Sequence, residues 1–286
     1  MSVRAAVVQM TSSPDVEANL AVARGLLERA RTQGAVIAAL PENFAIMGRR
    51  DADKIDVAEA PGEGPIQAFL GHCARELGMW ILGGTIPLRV EGESRRVAAA
   101  SLVFDDRGRC AARYDKIHLF DVDIPGREER YRESATVAPG DRPVVVSTPI
   151  GRLGLAVCYD VRFPELFRVL QGQGAEVLSL PSAFTAPTGR AHWEPLVRAR
   201  AIENLCYVLA PAQGGKHANG RETWGDSMVV DPWGQVLARV AGAGPGLAVA
   251  EIDRNVQQQL RERFPALLHR RLQVGASEPA PSPVPA

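Results

Sequence analysis

Gly154-Leu-Ala-Val-Cys158-Tyr-Asp-Val-Arg-Phe-Pro164-Glu165 is the stretch that decides the architecture. Leu153 to Val157 has the length and apolar content of a buried strand, and it runs straight into Cys158. Shortly afterwards Pro164 opens a helix, where its fixed φ is preset and its missing N–H costs nothing. A residue on such a strand-to-helix turn sits at the carboxyl edge of a sheet, where open α/β folds bind ligands. There the side chain can project into a cleft, and backbone N–H groups of the turn can meet a developing oxyanion. A free cysteine at a strand end also reads as a small buried hydrophobe. This segment alone leaves both readings open.

The same alternation extends outward in both directions. Ala5 to Gln9 is a short strand, and Ser12-Ser13-Pro14-Asp15 supplies helix-start chemistry. Apolar residues at helical spacing then run from Val16 to Ala30. Gly34 ends that helix, and Val36 to Leu40 is a second buried strand. Ile66 to Leu77 predicts a helix, and Trp80 to Leu82 a strand. Ala99 to Phe104 and Arg109 to Tyr114, joined by Asp105-Asp106-Arg107-Gly108, predict a hairpin. Beyond Val144 to Ser147 and the Cys158 strand, helices are expected over Pro164–Gln171 and His192–Asn204. Strands are expected over Glu176–Leu180, Cys206–Ala210, Met228–Val230, Gln235–Arg239 and Leu247–Ile252. Strand–helix units mixed with hairpins give an α/β fold with some antiparallel pairing. Residues 1–274 read as one domain. The tail from Gly275 to Ala286, rich in Pro, Ala and Ser, cannot bury a core and is expected to be disordered.

Bulk properties narrow the function. The chain has 286 residues, 46% of them hydrophobic, enough for a large core. Lys+Arg and Asp+Glu each number 33, so the basic excess of a nucleic-acid binder is missing. Cys73, Cys110, Cys158 and Cys206 form neither a CxxC pair nor a Cys/His cluster, which argues against a disulfide framework or structural zinc. Met1 to Met10 lacks the charged-then-apolar plan of a secretion signal, and no apolar run reaches the length of a membrane span. A reducing cytoplasm is the expected location.

Two further strand ends carry chemistry. Val36-Ile-Ala-Ala-Leu-Pro-Glu42 puts a carboxylate after a buried strand, where it can accept a thiol proton. Arg113-Tyr-Asp-Lys116-Ile-His118 puts an ammonium after another, able to stabilise a thiolate or an oxyanion. Singly, Glu42 reads as a loop acid and Lys116 as a solvated charge. Together with Cys158 they make up a nucleophile, a proton carrier and a fixed cation, the set that acyl transfer from an amide requires. Rival chemistries lack their marks. Cys158 is outside the context of a papain-like nucleophile, although His118 or His192 can approach it. No GxSxG elbow occurs, Gly214-Gly-Lys216-His lacks phosphate-loop spacing, and the histidines form no helical metal pair. Neither a metal nor a cofactor is expected.

Leu40-Pro-Glu42-Asn, Tyr114-Asp-Lys116-Ile-His-Leu-Phe and Val157-Cys158-Tyr-Asp-Val-Arg-Phe-Pro-Glu, in that order, resemble the nitrilase (carbon–nitrogen hydrolase) superfamily, over Val3 to about Arg271. The resemblance implies a four-layer α-β-β-α sandwich, sheet-extending homodimers and a Glu-Lys-Cys triad at Glu42, Lys116 and Cys158. It also implies a supporting glutamate, which falls at Glu133 in Tyr131-Arg-Glu133-Ser-Ala-Thr. Phe120-Asp-Val-Asp-Ile-Pro-Gly126, Pro181-Ser-Ala-Phe-Thr-Ala-Pro-Thr188-Gly-Arg-Ala-His192-Trp193-Glu194 and Ser227-Met-Val-Val-Asp-Pro-Trp-Gly234 are similar to the Nit branch. Asp226 stands where that branch leads one to expect histidine.

Branch members hydrolyse deaminated glutathione or, as ω-amidases, 2-oxo-amides such as 2-oxoglutaramate. Pro181-Ser-Ala-Phe and Arg198-Ala-Arg-Ala-Ile-Glu-Asn look more like the former. The implied route takes a thioester on Cys158, with Lys116 and the N–H of Tyr159 as oxyanion donors and Glu42 moving protons. Glu133 would hold Lys116 or the substrate amide. Small substrates bearing carboxylates call for a cationic or hydroxyl clamp. Arg162 is the candidate, unless it pairs with Glu165 or Asp160. Phe184 and Thr188, in the loop after Leu178-Ser-Leu-Pro181, are expected to line the pocket, with His192 and Trp193 as packing and capping residues. An acyltransferase using the same thioester and a catalytically silent scaffold on the same fold are the competing readings.

Overall fold

Period-two alternation builds the centre of the molecule. In the computed structural model, which describes residues 2–124, 126 and 129–272, Ala5 and Val7 of the strand Ser2–Gln9 face one apolar cluster while Ala6 and Val8 face another. A strand buried on both faces lies in the interior of a layered stack.

Two large sheets make up that stack. The first runs, in spatial order, Gly246–Asp253, Ser2–Gln9, Ala35–Ala39, Trp80–Leu82, Glu93–Phe104 and Ile86–Val90. Cys110–Asp115 and Val137–Ala138 also pair with Glu93–Phe104. The second runs Val144–Thr148, Gly151–Leu155, Val177–Ser179, Tyr207–Ala210, Met228–Val230 and Val236–Arg239. Both have parallel centres and antiparallel flanks. The Cys158 strand lies next to Val177–Ser179 in the parallel centre of the second.

The sheets pack face to face through Ala5, Val7, Ile37, Leu153, Leu155 and Leu209, all fully buried. Helices Val16–Thr32 and Pro65–Leu77 cover the outer face of the first sheet with Leu26, Leu27, Leu70 and Ala74. Helices Pro164–Gly172 and Ala186–Asn204 cover the second with Phe167, Leu170, Trp193 and Val197. The result is the four-layer α-β-β-α sandwich in one domain. Each fully buried Leu or Val contributes about 1.5–3 kcal/mol, so the layers are held mainly by apolar burial.

Several expected elements are longer or differently placed. The helix expected to begin at His192 starts at Ala186: Thr185 caps it by accepting from the Thr188 N–H, and Pro187 sits in its first turn, where proline is tolerated. Thr188 is therefore helical rather than in a loop, and His192 and Trp193 lie in mid-helix and cap nothing. Trp193 packs, fully buried, as expected, with its indole N–H donating to the Asp226 carbonyl at 2.8 Å. The strand expected over Ala99–Phe104 begins at Glu93 because it pairs with Ile86–Val90. That partner contains Pro87 and closes the sheet path at an edge, the position where proline does least harm to a ladder. Helix Arg254–Arg263, capped by Asp253, was not anticipated. The expected 105–108 turn is present, with the Gly108 N–H donating to Asp105 O at 2.8 Å. The tail from Gly275 to Ala286, the ends of the 1–274 domain and Pro125 of the 120–126 motif lie outside the described residues.

Candidate active site

Each candidate reacting group is delivered by a strand end and locked there by its backbone. Strand Gly151–Leu155 continues as an extended segment: Ala156 N–H donates to Ser179 O at 3.2 Å and Cys158 N–H to Pro181 O at 2.9 Å. The chain then turns sharply into the 3₁₀ turn Cys158–Arg162, with Cys158 at φ 47°. A positive φ is costly for a residue with a side chain and persists where the surroundings hold it. Asp160 does part of the holding. Fully buried, its carboxylate accepts from Val157 N–H (2.8 Å), Tyr114 Oη (2.7 Å) and His118 N–H (3.1 Å), and meets His118 Nδ1 at 2.7 Å.

Tyr114 and His118 flank Lys116, so the Asp160 carboxylate ties the nucleophile's turn to the cation's segment. Lys116 follows strand Cys110–Asp115, its N–H donating to Ala99 O at 3.1 Å. Glu42 follows strand Ala35–Ala39 through Leu40, whose N–H donates to Leu82 O at 2.9 Å. The neighbouring Gly84, at φ 51°, passes so near that a Cβ there would stand 2.0 Å from the Pro41 carbonyl oxygen. Only glycine fits that approach.

Glu42, Lys116, Glu133 and Cys158 line one cavity. The Lys116 ammonium donates to Glu42 Oε1 at 2.8 Å and to both Glu133 oxygens at 2.9 Å. Lys116 is 1% exposed, Glu42 4% and Cys158 8%, so these three groups are almost wholly removed from water. Glu133, at the start of the turn Glu133–Ala135, is fixed by the Phe120 N–H at 2.7 Å. These three oxygens match the three ammonium protons, so a substrate oxygen meets Lys116 through its charge or by sharing one of these bonds.

Electrostatics follow from that burial. Burial raises the Cys158 thiol well above its ordinary value, and the Glu42 carboxylate adds to the rise against the opposing Lys116. The resting sulfur is therefore a protonated thiol. For Lys116, burial works to lower the proton affinity, but Glu133 and Glu42 overcome it and hold the ammonium well above its usual range. Burial pushes Glu133 upward, yet Lys116 and then Lys54 leave it below the usual carboxylate range. The site is thus a neutral thiol beside a compensated ion cluster, in need of a base before the sulfur can attack.

Tyr159, Arg162, Phe184 and Thr188 also line the cavity. The Arg162 guanidinium lies 5.7 Å from the Tyr159 ring centroid and 5.4 Å from that of Phe184. Its polar neighbour is His192 Nδ1, at 3.3 Å, rather than Glu165 or Asp160. His118 is engaged by Asp160 and stacks on Phe163 with centroids 3.8 Å apart, so neither histidine is held to the sulfur. Asp226, at φ 61°, pairs with Arg239 at 2.8 Å. Lining residues that gave no local signal in the sequence include Asp51, Lys54 and Arg221. No group of three or more His, Cys, Asp or Glu suited to a metal occurs among the described residues, and no helix there is long and apolar enough to cross a membrane.

Known proteins align with this chain over nearly its whole length. Residues 4–262 match the carbon-nitrogen hydrolase family. The deaminated glutathione amidase of Synechocystis sp. is 47% identical over 268 residues, spanning 93% of this chain and 97% of that protein. The crystal structure of the Caenorhabditis elegans NitFhit protein superposes with a TM-score of 0.88 at 42% identity, covering 94% of this chain and 65% of that longer one. An amidase from Nesterenkonia sp., solved as a mutant with acrylamide added at its active-site cysteine, gives a TM-score of 0.75 at 28% identity, over 93% and 99% of the two chains. The chain belongs to the carbon–nitrogen hydrolase family and is an amide-hydrolysing enzyme acting on a small molecule.

Proposed function

We propose that Cys158, Glu42 and Lys116 hydrolyse the amide bond of deaminated glutathione through a thioester on Cys158. The observation that carries the reading is the bonding of Lys116 to both Glu42 and Glu133 in the cavity wall that holds the Cys158 thiol. Because that thiol is protonated at rest, a base must act as it attacks. Glu42 accepts the proton while the sulfur bonds to the amide carbon. The charge that develops on the carbonyl oxygen is met by Lys116 and by the N–H of Tyr159, in the first turn after Cys158. Glu42 passes its proton to the nitrogen, the carbon–nitrogen bond breaks, and the amine leaves with the acyl group on sulfur. Water then gives a proton to Glu42 and attacks the thioester, and the collapsing adduct releases the acid and returns the proton to Cys158. Glu133 fixes Lys116 throughout.

The substrate choice rests on the family's named relatives and on the charge of the pocket. Glutathione lacking its amino nitrogen is a small amide with a carboxylate at each end, and Arg162 and Lys54 offer cations for one of them. Phe184 and Thr188 shape the wall beside it. We further propose a homodimer working in the cytoplasm, with residues 1–274 as the catalytic domain. A substrate panel tests the core of the reading: purified enzyme should hydrolyse deaminated glutathione in preference to 2-oxoglutaramate, and Cys158→Ala should lose about 10⁴-fold or more in kcat. Normal turnover by folded Cys158→Ala, or a preference for 2-oxoglutaramate, would overturn it.

A further inference from the structure

The cavity around Cys158 is small, about 50 Å³. That is room for an amide and its immediate neighbours, not for an entire tripeptide-sized molecule. It adjoins a much larger outer cleft of about 1030 Å³, the two sharing Asp51, Tyr131 and Arg221 in their walls. The described residues lining the outer cleft include five arginines and three carboxylates. Arg49 and Arg190 are exposed and have no ion-pair partner among the described residues.

Arg221 stands at the junction. It lies on the connection between strands Gly214–Lys216 and Glu222–Trp224, with its guanidinium over the Tyr131 ring, 5.2 Å from the centroid. One terminal nitrogen donates to the Ala183 carbonyl oxygen, but its Nε is buried without a hydrogen-bond partner. No carboxylate pairs with it among the described residues. A buried guanidinium donor left unsatisfied is unfavourable.

The order of the chemistry assigns the two spaces. The acyl half stays bonded to Cys158 after the first step, so it occupies the enclosed cavity. The amine half must depart before water enters, so it occupies the side that opens to solvent. We infer that the outer cleft, with Arg221 at its inner end and Arg49 and Arg190 along its wall, is a subsite that recognises a carboxylate on the leaving amine. In the proposed substrate that carboxylate is the C-terminus of the departing dipeptide, and these arginines, not Arg162 and Lys54 of the inner cavity, are its recognition residues. This rests on the proposed thioester reaction and adds a specificity determinant to it.

The test uses three amides of one acyl group: with a dipeptide amine ending in a free carboxylate, with the same dipeptide as its C-terminal carboxamide, and with ammonia. Wild-type enzyme should favour the acid over the carboxamide by about ten- to a hundredfold in kcat/KM, mainly through KM, as a charge-assisted contact gives. That ratio should fall towards one in Arg221→Gln, be partly restored in Arg221→Lys, and fall less in Arg190→Gln. Should Arg221→Gln fail to fold, the wild-type ratio must still shrink as salt is raised, because exposed arginines are screened. Equal kcat/KM for acid and carboxamide, or a ratio indifferent to both salt and Arg221, overturns the subsite while leaving the amidase reading intact. Hydrolysis of none of the three sinks the amidase reading and the subsite with it.

Discussion

Two adjoining regions handle charge in opposite ways. Around Cys158, a buried ammonium is matched by one buried carboxylate, Glu42, and one half-buried carboxylate, Glu133, and these charges are held by their neighbours. In the outer cleft, arginines outnumber acids and several are unpaired among the described residues. Compensated charge in a dry cavity is preorganised: it can stabilise a transition state without reorganising, but it depends on every partner. Uncompensated charge at a wet surface contributes little to stability and is free to attract an anionic ligand. Inner residues should therefore couple catalysis to folding, whereas outer ones should not.

The largest effect should come from Lys116→Ala. Loss of one oxyanion donor costs about 10²–10³ in kcat, or roughly 2.7–4 kcal/mol. The same change leaves Glu42 and Glu133 buried without their cation, a further destabilisation of about 3–5 kcal/mol in chemical denaturation. A variant with wild-type stability and turnover would break the contrast at its centre.

Asp160→Asn should follow. The amide replaces an acceptor oxygen with an NH₂ facing groups that donate, at a cost of about 1–3 kcal/mol. Because Asp160 joins the Cys158 turn to Tyr114 and His118, kcat should fall while the protein stays folded, which steady-state kinetics with circular dichroism will show. Leu27→Ala, in the outer helical layer, should cost about 2–5 kcal/mol with kcat unchanged, separating loss of stability from damage to the site.

The pH dependence sharpens the comparison further. Glu133 is held below its unfolded value, so its stabilising contribution is present above pH about 4.3 and is lost as pH falls through the lower folded value. Glu133→Gln should thus be destabilised most near neutrality, and its deficit relative to wild type should shrink below pH about 4 in thermal melts. The smallest effect should be Arg49→Gln, within about 0.5 kcal/mol of wild type in stability. A large loss there would mean that the outer charges are structural.

The sequence carried the buried strands and the groups at their ends well, because the apolar run Ala5 to Val8 and the strand-to-turn junctions at Glu42, Lys116 and Cys158 are local signals. It carried proline-containing elements less well. Pro187 masked the first turn of the helix holding Thr188, and Pro87 hid an edge strand, since proline's permitted positions depend on the neighbours it meets. Arg221 and Lys54 were illegible for a different reason: a distant loop and the short helix Asp53–Asp56 bring them to the cavity, and nothing in their own segments sets them apart from surface cations. Asp160 was visible only as a possible partner of Arg162. Its four donors come from two separate strands' ends.

The central claim is that acyl transfer passes through the Cys158 sulfur under the control of a buried carboxylate–ammonium pair. Acid quenching during turnover of deaminated glutathione, followed by mass spectrometry of the intact chain and its peptides, tests it most directly. The expected result is an acyl adduct on the peptide containing Cys158, present in wild type and absent in Cys158→Ala. Rapid hydrolysis by wild type without any adduct there, or an adduct on another residue, would contradict the account.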